Sequence, residues 1–278
     1  MPPELSVVIP TYNRRERLRT CLESLAQQTA SWEEFEVVAA VDGSQDGTTE
    51  MLASLSLPYA LRVLTQPQSG QCAALNLGAR EAAGRYLLFL DDDMIASPEL
   101  VSAHLRTQRK RGPVGAIGYL DVRVPPRADR LARARAEEWR AHYEGLARRE
   151  PSFRDAYSGN LSLPRTVFDE AGGFVLDLEA MFDTEFAFRL HLHGLEFVFV
   201  PDALATEDSR EDWKEIVRDA EQRGQIGIEL YRRHPSILPW LEFSGLGEPA
   251  RKWVALRELL LALRIPPSLL AATVRLLP

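Results

Sequence analysis

Three consecutive carboxylates, Asp91, Asp92 and Asp93, follow the apolar run Tyr86-Leu87-Leu88-Phe89-Leu90. At the end of a buried strand they would repel one another. A hard divalent cation, Mg2+ or Mn2+, offsets such repulsion because it prefers carboxylate and phosphate oxygens. A solvated acidic turn is the alternative for the run taken alone. Its place between a buried strand and a helix start at Ser97-Pro98-Glu99 favours the metal-and-phosphate reading. A further carboxylate, Asp42, ends another apolar run and opens Asp42-Gly43-Ser44-Gln45-Asp46-Gly47, a string of turn formers. It is placed to accept the N–H of a base. Thr11, Tyr12 and Asn13 close the first apolar run, and Asp183 and Glu185 open a later helical stretch. In open parallel sheets, ligands bind beyond the carboxyl ends of the strands, which is where most of these polar residues fall.

The motifs that are missing narrow the chemistry. There is no GxGxxG dinucleotide fingerprint, no Walker lysine and no G-x-S-x-G elbow. His191 and His193 are two apart on a helical stretch and point in different directions, which argues against a zinc pair. The arginines between 127 and 154 read as a solvated helix face rather than as a diphosphate or lipid site.

The elements that position these residues alternate in the first half of the chain. Strands are expected at 5–9, 37–41, 61–64 and 86–90. Leu18, Leu22 and Leu25 recur at helical spacing, and 73–83 is an Ala-rich helix. This alternation predicts an α/β fold with a mostly parallel sheet covered by helices on both faces. The alternation then loosens, with a charged helix at 127–149, a strand at 159–163, a helix at 183–193, a strand at 197–200 ending at Pro201, and a helix at 212–233. Two short apolar segments, 253–263 and 269–277, follow a Pro- and Gly-rich stretch. The chain of 278 residues is 45% hydrophobic and 26% charged, an ordinary globular composition. Its net charge of -7 argues against a nucleic-acid partner. Cys21 and Cys72 sit in apolar helical patterns without a CxxC partner and read as buried thiols.

The segments VVIPTYNR (7–14), DGSQDGT (42–48), GQCAALNLG (70–78), LFLDDDMIASPEL (88–100), GNLSLPRTVFDEAGGF (159–174) and FDTEFAFRLHLHGLEFVFVPDA (182–203) together resemble the inverting glycosyltransferases of family 2, in that family's order and spacing. The resemblance covers about 5–207 and implies a GT-A (Rossmann-like) fold that transfers a sugar from a nucleotide-diphospho-sugar, most often a UDP-sugar. Pro10, Thr11, Tyr12 and Asp42 would line the base and ribose pocket, with Arg14 in the same donor-binding set. Gln71, where many members carry Lys, would face the donor phosphates or sugar. In the Asp91-Asp92-Asp93 run, a DXD motif, Asp91 and Asp92 would hold ribose or sugar and Asp93 the metal, with Asp91 and Glu207 as further candidate ligands. Gly159, Asn160 and the Gly172-Gly173-Phe174 turn would shape the acceptor side. Asp183 would be the general base, with Glu185 as its backup.

Three departures from the family pattern stand out. Phe182 replaces the Glu that normally precedes the base. Glu207 stands where many members place a His. No QxxRW motif is present, which favours single-sugar addition over processive synthesis. The expected organisation is a transferase domain at 1–234, with a nucleotide-binding half at 1–120 and an acceptor half at 121–234, followed by a helical appendage at 235–278. The acceptor is a saccharide or a lipid-linked one, as in bacterial polysaccharide or glycolipid synthesis. With neither a leader-like N-terminus nor a long apolar run, a cytoplasmic protein is expected. The 253–277 segment would either pack on the domain or touch the inner face of the membrane. Competing readings are a non-catalytic nucleotide-sugar-binding protein, a sugar-1-phosphate nucleotidyltransferase and a glycoside hydrolase.

Overall fold

The computed structural model describes residues 2–209 and 213–241. The chain divides into two compact units, residues 1–212 and 213–278. In the first, β1 (Leu5–Thr11), β2 (Phe35–Asp42) and β4 (Tyr86–Leu90) are buried at every position. They are the near-continuous apolar runs expected of strands covered on both faces, and the two polar side chains inside them, Ser6 and Glu36, bond to each other. Between them, α1 (Arg15–Leu25) buries Leu18, Cys21, Leu22 and Leu25, the i, i+3, i+4, i+7 stripe of a helix laid on a sheet. The helix α2 (Thr48–Ser54) is short, and β3 (Ala60–Gln66) is a half-exposed edge. The helix α3 (Gln71–Glu81) packs on β1 and β2, where Gly78 lets Val8 approach closely.

One sheet of eight strands runs in the order β3-β2-β1-β4-β7-β6-β8-β5. The first four are mutually parallel. The chain lays β2 and β3 on one side of β1 and then returns to place β4 on the other. The crevice at the ends of β1 and β4 is therefore a topological switch point. Beyond it, β7 (Asn160–Pro164) runs antiparallel to both β4 and β6 (Val114–Arg123), and β6 pairs in parallel with β8 (Glu196–Asp208). The short β5 (Met94–Ala96) pairs antiparallel with the end of β8.

The expected strands and helices form within the described residues, with some differences, among them α2 and the helix at Arg165–Glu170, which were not expected. β6 and β5 were not expected from sequence. β8 does not end at Pro201. A bulge absorbs Pro201–Ala203 opposite Gly118 and Tyr119, so the missing N–H falls where no ladder bond is needed, and the strand resumes to Asp208. Ser97 is not a helix cap. The helix α4 (Leu100–Arg111) starts after Glu99, and Ser97 contributes only its carbonyl, which accepts from Leu100 N. The helices α5 (Arg130–Leu146), capped by the Asp129 side chain, α6 (Arg165–Glu170) and α7 (Phe182–Leu192) complete this unit. Phe182 packs edge-on against Phe174, in an aromatic cluster with Phe89, Phe168 and Phe186. That packing accounts for an apolar residue in place of an acid. Cys21 and Cys72 are buried free thiols.

The second unit contributes α8 (Trp213–Arg233) and a 3-10 turn at Pro235–Trp240. The apolar segments at 253–263 and 269–277 lie outside the described residues. Among the described residues no helix is long and apolar enough to cross a membrane.

Candidate active site

A cleft of about 450 Å³ opens at the switch point. Pro10, Thr11, Tyr12 and Arg14 come from β1 and the following turn, Gln71 from the start of α3, and Asp91, Asp92 and Asp93 from the end of β4. Glu207, far along the chain, joins them because β8 runs back beside β5. Asp42 lines the cleft as well. Its carboxylate accepts from Gln66 Nε2 at 2.7 Å and from the backbone N–H groups of Ser69 and Gly70, both at 2.8 Å. Asp42 thus shapes the wall by pinning the 66–70 loop, and the contact with a base expected of it has to share those oxygens. Through that loop Gln68 and Gly70 also reach the cleft. Neither was expected; the only sequence signal is the polar Gln-Ser-Gly stretch between a strand and a helix.

The aspartates have separate partners. Thr11 Oγ1 donates to Asp92 at 2.7 Å, tying the ends of β1 and β4. Arg14 Nη1 donates to Asp92 at 3.0 Å and to Asp93 at 2.9 Å, and Arg17 reaches the same Asp93 oxygen at 3.1 Å. Gln71 Nε2 donates to Asp91 at 3.2 Å. Asp91 is part-exposed to the cleft yet walled by protein. Burial, then the charges of Asp93, Asp92 and Glu207, push its carboxyl well above the ordinary carboxylate range. Burial also raises Asp92, against the pull of Arg14. Burial works against the Arg14 cation, but Asp92 and Asp93 outweigh it and raise its pKa. The cleft is short of positive charge even with Arg14 in place.

The family model for glycosyl transferase family 2 matches residues 6–172. The chain belongs to glycosyl transferase family 2. The validoxylamine A glucosyltransferase of Streptomyces hygroscopicus subsp. jinggangensis is 31% identical over 276 residues, covering 86% of this chain and 63% of the relative. The chain therefore spans less than two thirds of that protein. Among solved structures, the mannosyltransferase PcManGT from Pyrobaculum calidifontis, in complex with GDP-Man and Mn2+, superposes with a TM-score of 0.62 at 17% identity. It covers 98% of this chain and 84% of its own. S. aureus TarS in complex with UDP-GlcNAc gives 0.61 at 19%, covering 83% and 67%. These likenesses carry the GT-A fold.

Other expected site residues of this family 2 chain have structural partners. Gly159 lies against Asp91, where a side chain would stand 2.8 Å from Oδ2. Asn160 is buried and does not face the cleft. Its amide donates to the carbonyls of Tyr119 and Ala203, and its Oδ1 meets His104 Nε2 at 2.9 Å. Gly173, at φ 74°, closes a turn locked by Asn76, which both donates to Phe174 O and accepts from Phe174 N. Glu185 is buried, with both oxygens on Arg189 at 2.8–3.0 Å, and Arg189 in turn donates to the carbonyls of Ala171 and Gly173. A carboxylate so engaged clamps Arg189, and through it the 171–173 turn, onto α7. Asp183, the second residue of α7, is half-buried and accepts from Thr184 N at 2.7 Å.

Proposed function

We propose that this chain transfers one sugar, with inversion and without processive repetition, from a nucleotide-diphospho-sugar, a UDP-sugar by preference, to an acceptor hydroxyl. The observation that carries the reading is the cleft itself, in which three aspartates, Glu207 and Arg14 converge at the switch point of the sheet. PcManGT and TarS, solved with GDP-Man and UDP-GlcNAc, support a nucleotide-sugar as donor.

The donor set fits a divalent metal. It consists of hard carboxylate oxygens, it is short of positive charge, and among the described residues it does not by itself complete a three-ligand set. That is the pattern of an ion held by one or two carboxylates plus substrate phosphates. Asp93 would hold the ion, with Asp91 and Glu207 beside it. When bound, Mn2+ or Mg2+ supplies positive charge against the diphosphate leaving group.

The chain's own residues do the rest. Tyr12, exposed at the mouth of the cleft, gives a base a flat surface, and Asp42 holds the loop opposite it. Arg14 shares its guanidinium between Asp92, Asp93 and the incoming phosphates. Thr11 holds one oxygen of Asp92 and Arg14 the other, so Asp92 would reach ribose or sugar by sharing the oxygen that Arg14 takes. Asp183 takes the acceptor proton as the new bond forms on the face opposite the leaving group.

The test is a thermal shift with UDP, GDP and dTDP, with and without Mn2+, on the wild type and on Asp93→Ala. Stabilisation by one nucleotide that requires Mn2+ and disappears in the variant is expected. Flat curves for all three would sink the donor reading.

A further inference from the structure

Residues 174–181 join the glycine turn to α7 and form neither helix nor strand. This strap enters α7 through Met181, a non-glycine residue held at φ 54°, two residues before Asp183. Two side chains of α3 grip it. Asn76 Nδ2 donates to Phe174 O at 2.8 Å, while Asn76 Oδ1 accepts from Phe174 N at 2.9 Å. One turn earlier on α3, Cys72 Sγ donates to Leu178 O at 3.8 Å. Residues four apart share a helix face, so the strap runs back along α3 towards its first residue, Gln71. Gln71 lines the donor cleft and donates to Asp91.

The donor cleft and the candidate base are thus referred to one helix. The walls of the cleft belong mostly to the sheet, but Asp183 is reached through a segment with no ladder of its own. Its placement needs an anchor outside α7. Asn76 supplies one, because a single amide offers both a donor and an acceptor to Phe174, as a neighbouring strand would. It cannot turn over without losing both bonds. Gly173 makes room for it, since a Cβ there would stand 2.6 Å from Asn76 Oδ1. The residue so held is buried against Phe89 of β4 and Phe186 of α7, with ring centroids 5.1 and 4.6 Å away. Phe174 therefore touches both the strand that leads into the aspartates and the helix that carries Asp183. Asp183 itself stands near α3. Burial first, and then the charge of Asp183, push the Cys72 thiol up to about 12.

We infer that Asn76 is a positioning residue for the transfer: by fixing Phe174 it sets where Asp183 stands relative to the donor. It does not line the donor cleft and acts only through the strap. This rests on the transferase reading and on Asp183 as its base. A general base works only within hydrogen-bond reach of the proton it takes, and a displacement of about 1 Å can cost ~10²-fold in rate. An aspartate at 76 keeps the bond from Phe174 N and loses the other; an alanine loses both.

The experiment compares wild type, Asn76→Ala, Asn76→Asp, Asp183→Asn and the Asn76→Ala/Asp183→Asn double variant, each below its melting transition. The first readout needs no substrate. Iodoacetamide labelling is followed at Cys72, under the strap, with the buried Cys21 as internal reference. Asn76→Ala should label Cys72 about tenfold faster and leave Cys21 unchanged, as two lost hydrogen bonds ease local opening. The second readout is nucleotide release from UDP-glucose, UDP-GlcNAc and GDP-mannose with water as acceptor. For a donor that turns over, kcat should fall about 10–10²-fold in Asn76→Ala and less in Asn76→Asp, with KM unchanged. In the Asp183→Asn background the alanine should cost little further, because both changes remove the same interaction. Equal acceleration at both thiols or at neither, a raised KM with unchanged kcat, or full additivity in the double variant each overturns the assignment. If Asn76→Ala does not fold, Asn76→Asp decides on the same readouts, alone and in the Asp183→Asn background. Absence of turnover of all three donors by the wild type would be the distinct failure of the transferase reading, and this inference would fall with it.

Discussion

Arg14 and Asp93 are joined at 2.9 Å at the donor cleft, where the charge balance calls for a cation. Arg17 takes the same oxygen at 3.1 Å, so any metal bound by Asp93 competes with two guanidiniums. Replacing Arg14 by Ala should lower stability by about 1 kcal/mol, a modest figure because its side chain is half exposed. The variant should also be stabilised more by Mn2+ than the wild type is. Melting curves with and without Mn2+ check this, and equal shifts in the two proteins would show that Arg14 does not stand in the ion's place.

Asp183 and Glu185 lie on one turn of α7 but in different settings, and two isosteric variants separate them. Asp183→Asn should reduce kcat by about 10²–10⁴-fold with donor affinity unchanged, the loss expected of a missing general base. Glu185→Gln breaks the buried pair with Arg189, whose side chain is 18% exposed, and should cost roughly 3–5 kcal/mol of stability. Turnover per folded molecule should stay near wild type. A Glu185→Gln protein that is stable but inactive would move the base to that position.

The legible parts of this fold are those where one local rule decides. The strands β1, β2 and β4 are mostly apolar and lead into Thr11, Asp42 and Asp91, so both the strands and the cleft at their ends could be read from sequence. β6 could not. Gly115 and Gly118 weaken its strand pattern, and their purpose is tertiary. A side chain at 115 would stand 2.7 Å from the Phe197 ring, and one at 118 would overlap the Asn160 amide. The same blindness applies to Asn160, Glu185 and Gly173. Their types and positions look functional, but their partners His104, Arg189 and Asn76 are distant in sequence or on another turn of helix. Glu207 was reachable through the family pattern, although only the pairing of β8 with β5 brings it to the cleft.

Gly159 gives a sharper check of the cleft's geometry than any charged residue. Its Cβ would stand 2.8 Å from Asp91 Oδ2 and 3.3 Å from Met94 Cε, so Gly159→Ala must displace the carboxylate or the turn. The expected result is a loss of stability of about 1–3 kcal/mol and donor binding weaker by about tenfold. Gly145, near the end of α5, has nothing within 4 Å of the same built atom. Gly145→Ala should therefore be neutral or stabilising by about 0.5–1 kcal/mol. Isothermal titration with UDP on both variants decides, and an undisturbed Gly159→Ala would mean the turn does not abut Asp91.

His104 sets a pH dependence in the fold that is separate from catalysis. It is fully buried, with Nδ1 2.9 Å from Ser162 Oγ and Nε2 2.9 Å from Asn160 Oδ1, and burial lowers its pKa to about 4 from an ordinary 6.5. The native ring thus stays neutral where the unfolded chain's histidine takes up a proton. Stability from this group is fully present above pH 6.5, falls as pH drops towards 4, and is level below that. The loss amounts to roughly 3 kcal/mol. Asp155, which burial would raise but which Arg149 and His142 hold far below the carboxylate range, loses its own contribution only at more acid pH, so the two windows separate. Urea unfolding of the wild type at pH 7, 5.5 and 4.5 should trace the His104 slope. His104→Gln should start less stable at pH 7, because Ser162 and Asn160 lose a fitted partner, yet change little across that interval. A variant that keeps the wild-type slope would place the titrating group elsewhere.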